Sequence, residues 1–442
     1  MAALALGLAL VGAASMVYYE FGLFMPRLLG MRAATNLAGG YAFGNDFYQV
    51  WLTSREWRLH NRDPYSAEMT REIQTGLYGR PLDPGIPTDP IDRRVFPYPA
   101  FADLLFWPAA ELPFEVVRVV VVCVLAALTL ASIRLWMQAL SWQLDWSWLA
   151  VIFLLVVCSY PVLEGLYAGQ VGLLVAFLLA GSILALQRGR LLLSGVLMAV
   201  TTIKPQVTLL AVLYLLVWSS HDWRKRRRFC VGLFTTILLL VGAALVVWPH
   251  WIRSWIHVVV AYHGYTKPPL VSEVLASPLG PRTAGPAALV MIAGLLTVAV
   301  LLAWRNRAAA ADSPEFWLTL SLLLTITTIG LLPGQAVYDH VVLLPGIFLL
   351  ASRKEPQYPS PVFRALLAIG IAVLLWPWVA ALGMITLRPF LSPELFNSKA
   401  VFVLPLRTAA PFPFVVLGLL AMAFRATLGR QGESVSGSLQ RQ

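Results

Sequence analysis

Apolar runs of membrane-spanning length recur along the chain, separated by short basic loops. The first run covers about Ala2 to Phe21, and a long polar stretch, residues 25–96, comes after it without a spanning run. Further runs lie near Phe114–Leu135, Ser147–Leu163, Val171–Leu186, Val231–Trp248, Ala287–Trp304, Phe316–Leu332, Val341–Ala351, Ala365–Leu387 and Val403–Phe424. A span needs about 20 apolar residues, and these segments are read as transmembrane helices. One region breaks the pattern. Leu191 to Trp218 is a 28-residue apolar stretch interrupted by Lys204-Pro205, and both its ends are basic. Two full spans need about 40 residues, so two short helices meeting at Lys204-Pro205 are predicted. Irregular backbone at that depth must be buried in protein or line a cavity.

Short loops set the orientation. Arg134, Arg188/Arg190, Arg224–Arg228, Arg305/Arg307, Arg353/Lys354 and Arg425 alternate as a cytoplasmic face requires. The stretch 25–96 then lies on the non-cytoplasmic side. Both termini lie inside, and the bundle has about twelve spans. The expected fold is an all-α polytopic membrane protein. Residues 1–428 form one transmembrane domain and 429–442 a disordered cytoplasmic tail. The N-terminal run is as long as a span and lacks a charged leader, so it is read as an uncleaved helix.

Composition agrees. Of 442 residues, 59% are hydrophobic and 12% charged, too few charges to cover a water-soluble surface. The formal net charge of +11 gathers at span ends, so topology and lipid headgroups explain it without nucleic acid. The three cysteines, Cys123, Cys158 and Cys230, have neither disulfide nor metal spacing. His250, His257 and His263 are too loosely spaced for a metal pair. No metal or cofactor is expected.

The chemically capable residues outside the basic loops fall on the non-cytoplasmic side. They include Asp46, Tyr48, Tyr98, Glu164, Gln170, Lys204, Lys267, Gln335, Tyr338, Asp339 and His340. Asp46 suits a general base or a cation ligand; a helix cap would look the same. His340, at a membrane boundary, suits phosphate binding, proton transfer or capping. Lys204 lies between two apolar half-helices, where an ammonium must pair, reach water or hold an anion. Asp63-Pro64-Tyr65 reads as a turn.

The motifs form an ordered series: Asp46-Phe47-Tyr48, L-x-N-x-D-P-Y at Leu59–Tyr65, F-P-Y-P at Phe96–Pro99 and F-x-P-x-x-x-L-P at Phe106–Pro113. Gly169-Gln170, S-G-V-L-x-x-x-x-x-I-K-P at Ser194–Pro205 and D-H-x-x-L-L-P at Asp339–Pro345 complete it. The series resembles glycosyltransferase family 87, polyprenol-phosphate-mannose-dependent mannosyltransferases of the GT-C superfamily. The resemblance implies an inverting transfer of a hexose, mannose, from a polyprenyl phosphate to a glycan or glycolipid acceptor at the outer face of a bacterial plasma membrane. It implies Asp46 as the base and His340 near the donor phosphate. Lys204, Gln170, Tyr48, Tyr98 and Tyr338 are the candidate substrate-binding residues. Three positions depart from the family pattern: Asn61 stands where Gly is usual, Ala100 where Pro is frequent, and Gly172 where Asn is frequent. Asn reaches the left-handed conformation that Gly would supply. A secondary transporter with a broken helix at Lys204 and a non-catalytic envelope scaffold are the alternatives.

Overall fold

The computed structural model describes residues 1–439 except 36, 38, 39, 267, 268, 281, 335 and 353–360. Lys267, Gln335 and the Arg353/Lys354 pair therefore lie outside the described residues. Among the described residues the secondary structure is helical, with one isolated bridge between Leu270 and Pro333. The chain is an all-α polytopic membrane protein.

The first helix, α1, runs over Ala2–Ala34 and widens into a π-helical segment at Tyr19–Phe24. The polar stretch after it is not a loop but carries two helices, α2 (Asn45–His60) and α3 (Ala67–Tyr78). Next come α4 (Phe101–Phe106), α5 (Phe114–Ala139), α6 (Trp146–Val157), α7 (Tyr160–Ala168) and α8 (Val171–Gln187). The broken pair is α9 (Leu191–Ile203) and α10 (Pro205–His221). The remainder comprises α11 (Trp223–Val247), α12 (Trp251–Thr266), α13 (Val271–Ala276), α14 (Ala284–Arg305), α15 (Pro314–Gly330), α16 (Val337–Ser352), α17 (Pro361–Phe390) and α18 (Phe412–Leu439), with short helices at Pro393–Phe396 and Lys399–Phe402 between the last two.

By length and apolarity, α1, α5, α11, α14 and α17 can each cross a membrane alone. They also bury little of themselves: in the most apolar window of α14 only 11% of residues are buried. In a soluble protein such surface would be a liability; here it is what lipid contacts. The shorter apolar helices α8 and α15 do the opposite and form the centre. Every residue of α15 from Phe316 to Gly330 is buried. Its threonines 319, 325, 327 and 328 return their hydroxyls to carbonyls one turn back, which satisfies polar atoms without a partner helix.

Two helix breaks interrupt the bundle. Ser147–Leu163, read from sequence as one span, is two helices bent by 56° between α6 and α7. The break sits before Pro161, a residue equally at home in the first turn of a new helix, and Trp378 donates its indole N–H to the freed Cys158 carbonyl at 3.1 Å. The predicted break at Lys204-Pro205 is present between α9 and α10. The Thr201 and Thr208 hydroxyls bridge it at 2.9 Å.

Close helix packing uses small residues, as in membrane bundles generally. A Cβ on Gly195 of α9 would overlap the Phe229 carbonyl and stand 2.6 Å from the Leu233 nitrogen of α11. Backbone cannot yield as a side chain can. Gly195→Val is expected to destabilise the protein by about 1–3 kcal/mol, seen as a lowered melting temperature in detergent; an unchanged melting temperature would refute the close crossing.

The polar segments are pinned as well. Asn61 ends α2 in the left-handed region at φ 52°, the conformation expected of it. The Asp63-Pro64-Tyr65 turn closes through Asp63 Oδ1, which accepts from the Tyr65 N–H at 2.9 Å, and the Tyr65 hydroxyl then donates to the Tyr98 carbonyl at 2.9 Å. Helical backbone continues through α18 to Leu439.

Candidate active site

The polar residues converge on a cavity of about 700 Å³. Asp46 enters it from the first turn of α2, where the helix dipole favours a carboxylate. Asp46 Oδ1 accepts from Arg94 Nη1 at 2.6 Å, and Oδ2 accepts from the Gln170 side-chain amide. Gln170 Oε1 in turn accepts from Lys204 Nζ at 3.3 Å, and the same ammonium donates to Asp339 Oδ1 at 2.7 Å. Lys204 also lies 4.6 Å from the Tyr338 ring centroid, within cation–π range. The result is one hydrogen-bonded line, Arg94–Asp46–Gln170–Lys204–Asp339, in which cations and carboxylates alternate.

Local structure explains each position. Gly169 ends α7 at φ +69°, and a Cβ there would stand 2.9 Å from Phe47 Cβ. Only glycine permits both that turn and the close approach to α2, and the turn delivers Gln170 to Asp46. Glutamine is the one uncharged side chain that can offer N–H to a carboxylate and a carbonyl to an ammonium at this reach, and those two neighbours fix its amide orientation. The break at Pro205 exposes Lys204 between two helix ends. Gly172 is explained by the same packing: a Cβ there would overlap Asp339 Oδ1 and sit 3.5 Å from Lys204 Nζ.

Arg94 and Tyr98, both outside the spans, are held away from their ordinary values. Burial opposes the Arg94 charge, but the Asp46 and Asp92 carboxylates outweigh it and hold its pKa above the ordinary guanidinium value. Burial, with the Asp46 and Asp339 charges adding to it, pushes the Tyr98 phenol well up.

Of the residues singled out from sequence, Asp46, Tyr98, Glu164, Gln170, Lys204, Tyr338 and Asp339 line this cavity. Tyr48 and His340 do not. Tyr48 is two residues beyond Asp46, about 200° around the helix. It packs on Phe114 and Tyr41 at ring distances of 4.9 and 5.2 Å. His340 comes after Asp339 in a 3₁₀ turn, which rotates each successive residue by about 120°. Its ring faces a separate apolar cavity of about 220 Å³, shared with Phe348, Trp378 and Phe412. Tyr160 borders both cavities.

Sequence reasoning passed over Arg94, counted only among the basic residues of a long stretch; its signal was the adjacent F-P-Y-P element. Helix α12 lies outside the runs read as spans; its Tyr262 and His263, together with Trp255 and Val259, are spaced to share one helical face and line the cavity. The Trp255 indole is anchored by donating to the Pro97 carbonyl at 3.0 Å.

A family model described as Glycosyltransferase family 87 matches residues 96–333, more than half of the chain. The protein belongs to glycosyltransferase family 87. The match contains Tyr98, Gln170 and Lys204, while Asp46 and Asp339 lie on either side of it. No curated protein and no solved structure matches the chain. For a family 87 glycosyltransferase the line of groups supplies a carboxylate able to take a proton and two cations, one on each side of it, able to meet developing negative charge. Among the described residues no group of three or more His, Cys, Asp or Glu side chains has a metal-binding arrangement.

Proposed function

We propose that this membrane glycosyltransferase moves a hexose, mannose, from a polyprenyl phosphate to an acceptor hydroxyl on a glycan or glycolipid. The reaction takes place on the non-cytoplasmic side of a bacterial plasma membrane. The observation that carries this reading is the linkage of Asp46 to Lys204 through Gln170 in one cavity. The cavity's other wall, at Phe24, Met25, Leu28 and Leu29 of α1, is apolar and belongs to a membrane-spanning helix.

The leaving group dictates the chemistry. The acceptor oxygen forms a bond to the anomeric carbon, the carbon–oxygen bond to phosphate breaks, and the hydroxyl proton passes to Asp46. The bonding electrons leave with the lipid phosphate, a stable anion that needs no general acid. A single carboxylate therefore suffices, and displacement in one step inverts the anomeric configuration. A glycoside hydrolase needs a second acid because its leaving group is an alkoxide. Lys204 and Arg94 stabilise charge on the departing phosphate. His340, facing the apolar cavity, has no part in this scheme, and Asp339 takes the place in the polar line that the histidine was expected to hold.

Purified protein in proteoliposomes is expected to transfer mannose from polyprenyl-phosphate-mannose to an alkyl mannoside, detected as a new disaccharide by mass spectrometry. Solute counterflow without sugar transfer would overturn the reading in favour of a carrier, for which the broken α9–α10 pair would serve.

A further inference from the structure

The polar cavity is rich in carboxyl groups. Asp46, Asp92, Glu164 and Asp339 all line it, so a phosphate entering it needs a cation that no carboxylate has claimed. Among the described residues, the Arg and Lys residues of the lining are Arg32, Arg94 and Lys204. Two of them are already answered. Arg94 donates to Asp46 at 2.6 Å and lies 3.6 Å from Asp92, and Lys204 donates to Asp339 at 2.7 Å. Arg32 has no ion pair among the described residues. Its guanidinium lies 5.6 Å from the Tyr78 ring centroid, a cation–π contact that leaves the charge without a counter-ion.

Tyr78 also fixes where that guanidinium sits. The Tyr78 hydroxyl accepts from Arg94 Nε at 3.2 Å, and Arg94 Nη1 holds Asp46. The unpaired cation is therefore one aromatic ring away from the Arg94–Asp46 pair. The helix that carries it adds a second observation. Phe24, Met25, Leu28, Leu29 and Arg32 all line the cavity from α1. Their spacing, i, i+1, i+4, i+5 and i+8, is that of one helical face. Along this face the apolar side chains come first and the cation last. Leu28 and Leu29 stay 38% and 40% exposed, so protein does not cover the apolar strip.

A lipid phosphate has the same order, a hydrocarbon chain that ends in an anion. A water-soluble phosphate would match the cation and waste the strip. Resting on the reading as a lipid-phosphate-dependent glycosyltransferase, we infer that Arg32 is the docking cation for the donor's phosphate, with the neighbouring isoprenoid units lying along the apolar strip of α1. An arginine suits this task, because its fork can meet two phosphate oxygens at once. No existing ion pair has to break for the lipid to bind. Arg94 and Lys204 act on the charge that develops as the carbon–oxygen bond breaks, and Arg32 holds the phosphate before and after that step. It is a positioning residue, separate from the base.

The test compares three lipids that share one tail: polyprenyl-phosphate-mannose, polyprenyl phosphate and uncharged polyprenol. Dissociation constants are measured on the full-length protein in phosphatidylcholine nanodiscs. Wild type is expected to bind both phosphate lipids more tightly than polyprenol. Arg32→Gln is expected to weaken both phosphate lipids about tenfold, the scale of one hydrogen bond to a charged group, and to bind polyprenol as wild type does. Arg32→Lys is expected to keep most of the affinity, since an ammonium still meets phosphate as a point charge. Unchanged phosphate-lipid binding in Arg32→Gln, equal loss of all three lipids, or an Arg32→Lys as weak as Arg32→Gln would overturn the assignment while leaving the transferase reading intact. So would displacement of the donor from wild type by equimolar phosphatidylglycerol, which would give Arg32 to ordinary phospholipid headgroups. A wild-type protein that binds the phosphate lipids no better than polyprenol would overturn the lipid-phosphate reading itself.

Discussion

Asp46→Asn is expected to fold and to bind the lipid donor, yet to turn over about a thousandfold more slowly than wild type, the usual worth of a general base. The substitution preserves shape but exchanges one acceptor oxygen for a donor. Arg94 Nη1, at 2.6 Å from Asp46 Oδ1, still finds an oxygen. Gln170, which donates to the other oxygen, now meets an N–H₂ group. It cannot turn over to help, because its carbonyl is already taken by Lys204 at 3.3 Å. One hydrogen bond is therefore lost as well as the base, at about 1–2 kcal/mol of stability. The two losses separate in a second variant. Asp46→Asn combined with Gln170→Glu restores a compatible sequence of donors and acceptors, so its melting temperature is expected to recover while transfer stays low. Near-normal turnover of Asp46→Asn alone would remove Asp46 from the mechanism.

Lys204→Met is expected to produce the largest loss of stability of any single change at the site. Lys204 and Asp339 are 7% and 1% exposed and lie 2.7 Å apart. Taking away one member of such a pair leaves an uncompensated buried charge, at a cost of about 3–5 kcal/mol. The pair itself is a weak source of net stability, since burying both charges costs much of what their attraction returns. The double variant Lys204→Met with Asp339→Leu is therefore expected to melt close to wild type while remaining inactive. Thermal unfolding of the three proteins in nanodiscs measures this directly. A single variant as stable as wild type would mean that water reaches the Asp339 carboxylate freely.

How far sequence reasoning reached depended on whether a feature was local. The Lys204-Pro205 break was legible because a charged residue and a helix breaker interrupt an apolar run. Asn61 was legible because one residue determines a left-handed turn. The break between α6 and α7 was hidden, since Pro161 two residues after Ser159 reads equally well inside a continuous span or at a new helix start. The polar stretch after the first run hid α2 and α3 because its helices bury their faces on each other and on the bundle. Average polarity does not report such pairing. Phe47 to Ser54 are all buried. At the site, one-dimensional proximity misled twice. Tyr48 beside Asp46 and His340 beside Asp339 look like partners in sequence, but helical rotation sends each to another surface. Arg94 had the opposite problem, lying far from Asp46 in the chain and against it in space. Gln170 was picked out only through the motif series, because its meaning depends on which two residues the glutamine touches.

Helix α1 has a consequence of its own. It extends over Ala2–Ala34, about 50 Å at the usual rise per residue, against a hydrocarbon thickness of about 30 Å. The surplus must be absorbed by tilt or by projection beyond the hydrocarbon. The projecting end is also the part that carries Phe24, Met25, Leu28, Leu29 and Arg32 into the cavity wall. One helix thus serves as both membrane-spanning segment and cavity wall. Transfer rates in vesicles of short and long acyl chains are therefore expected to differ, because the tilt that absorbs the surplus is shared with the cavity wall.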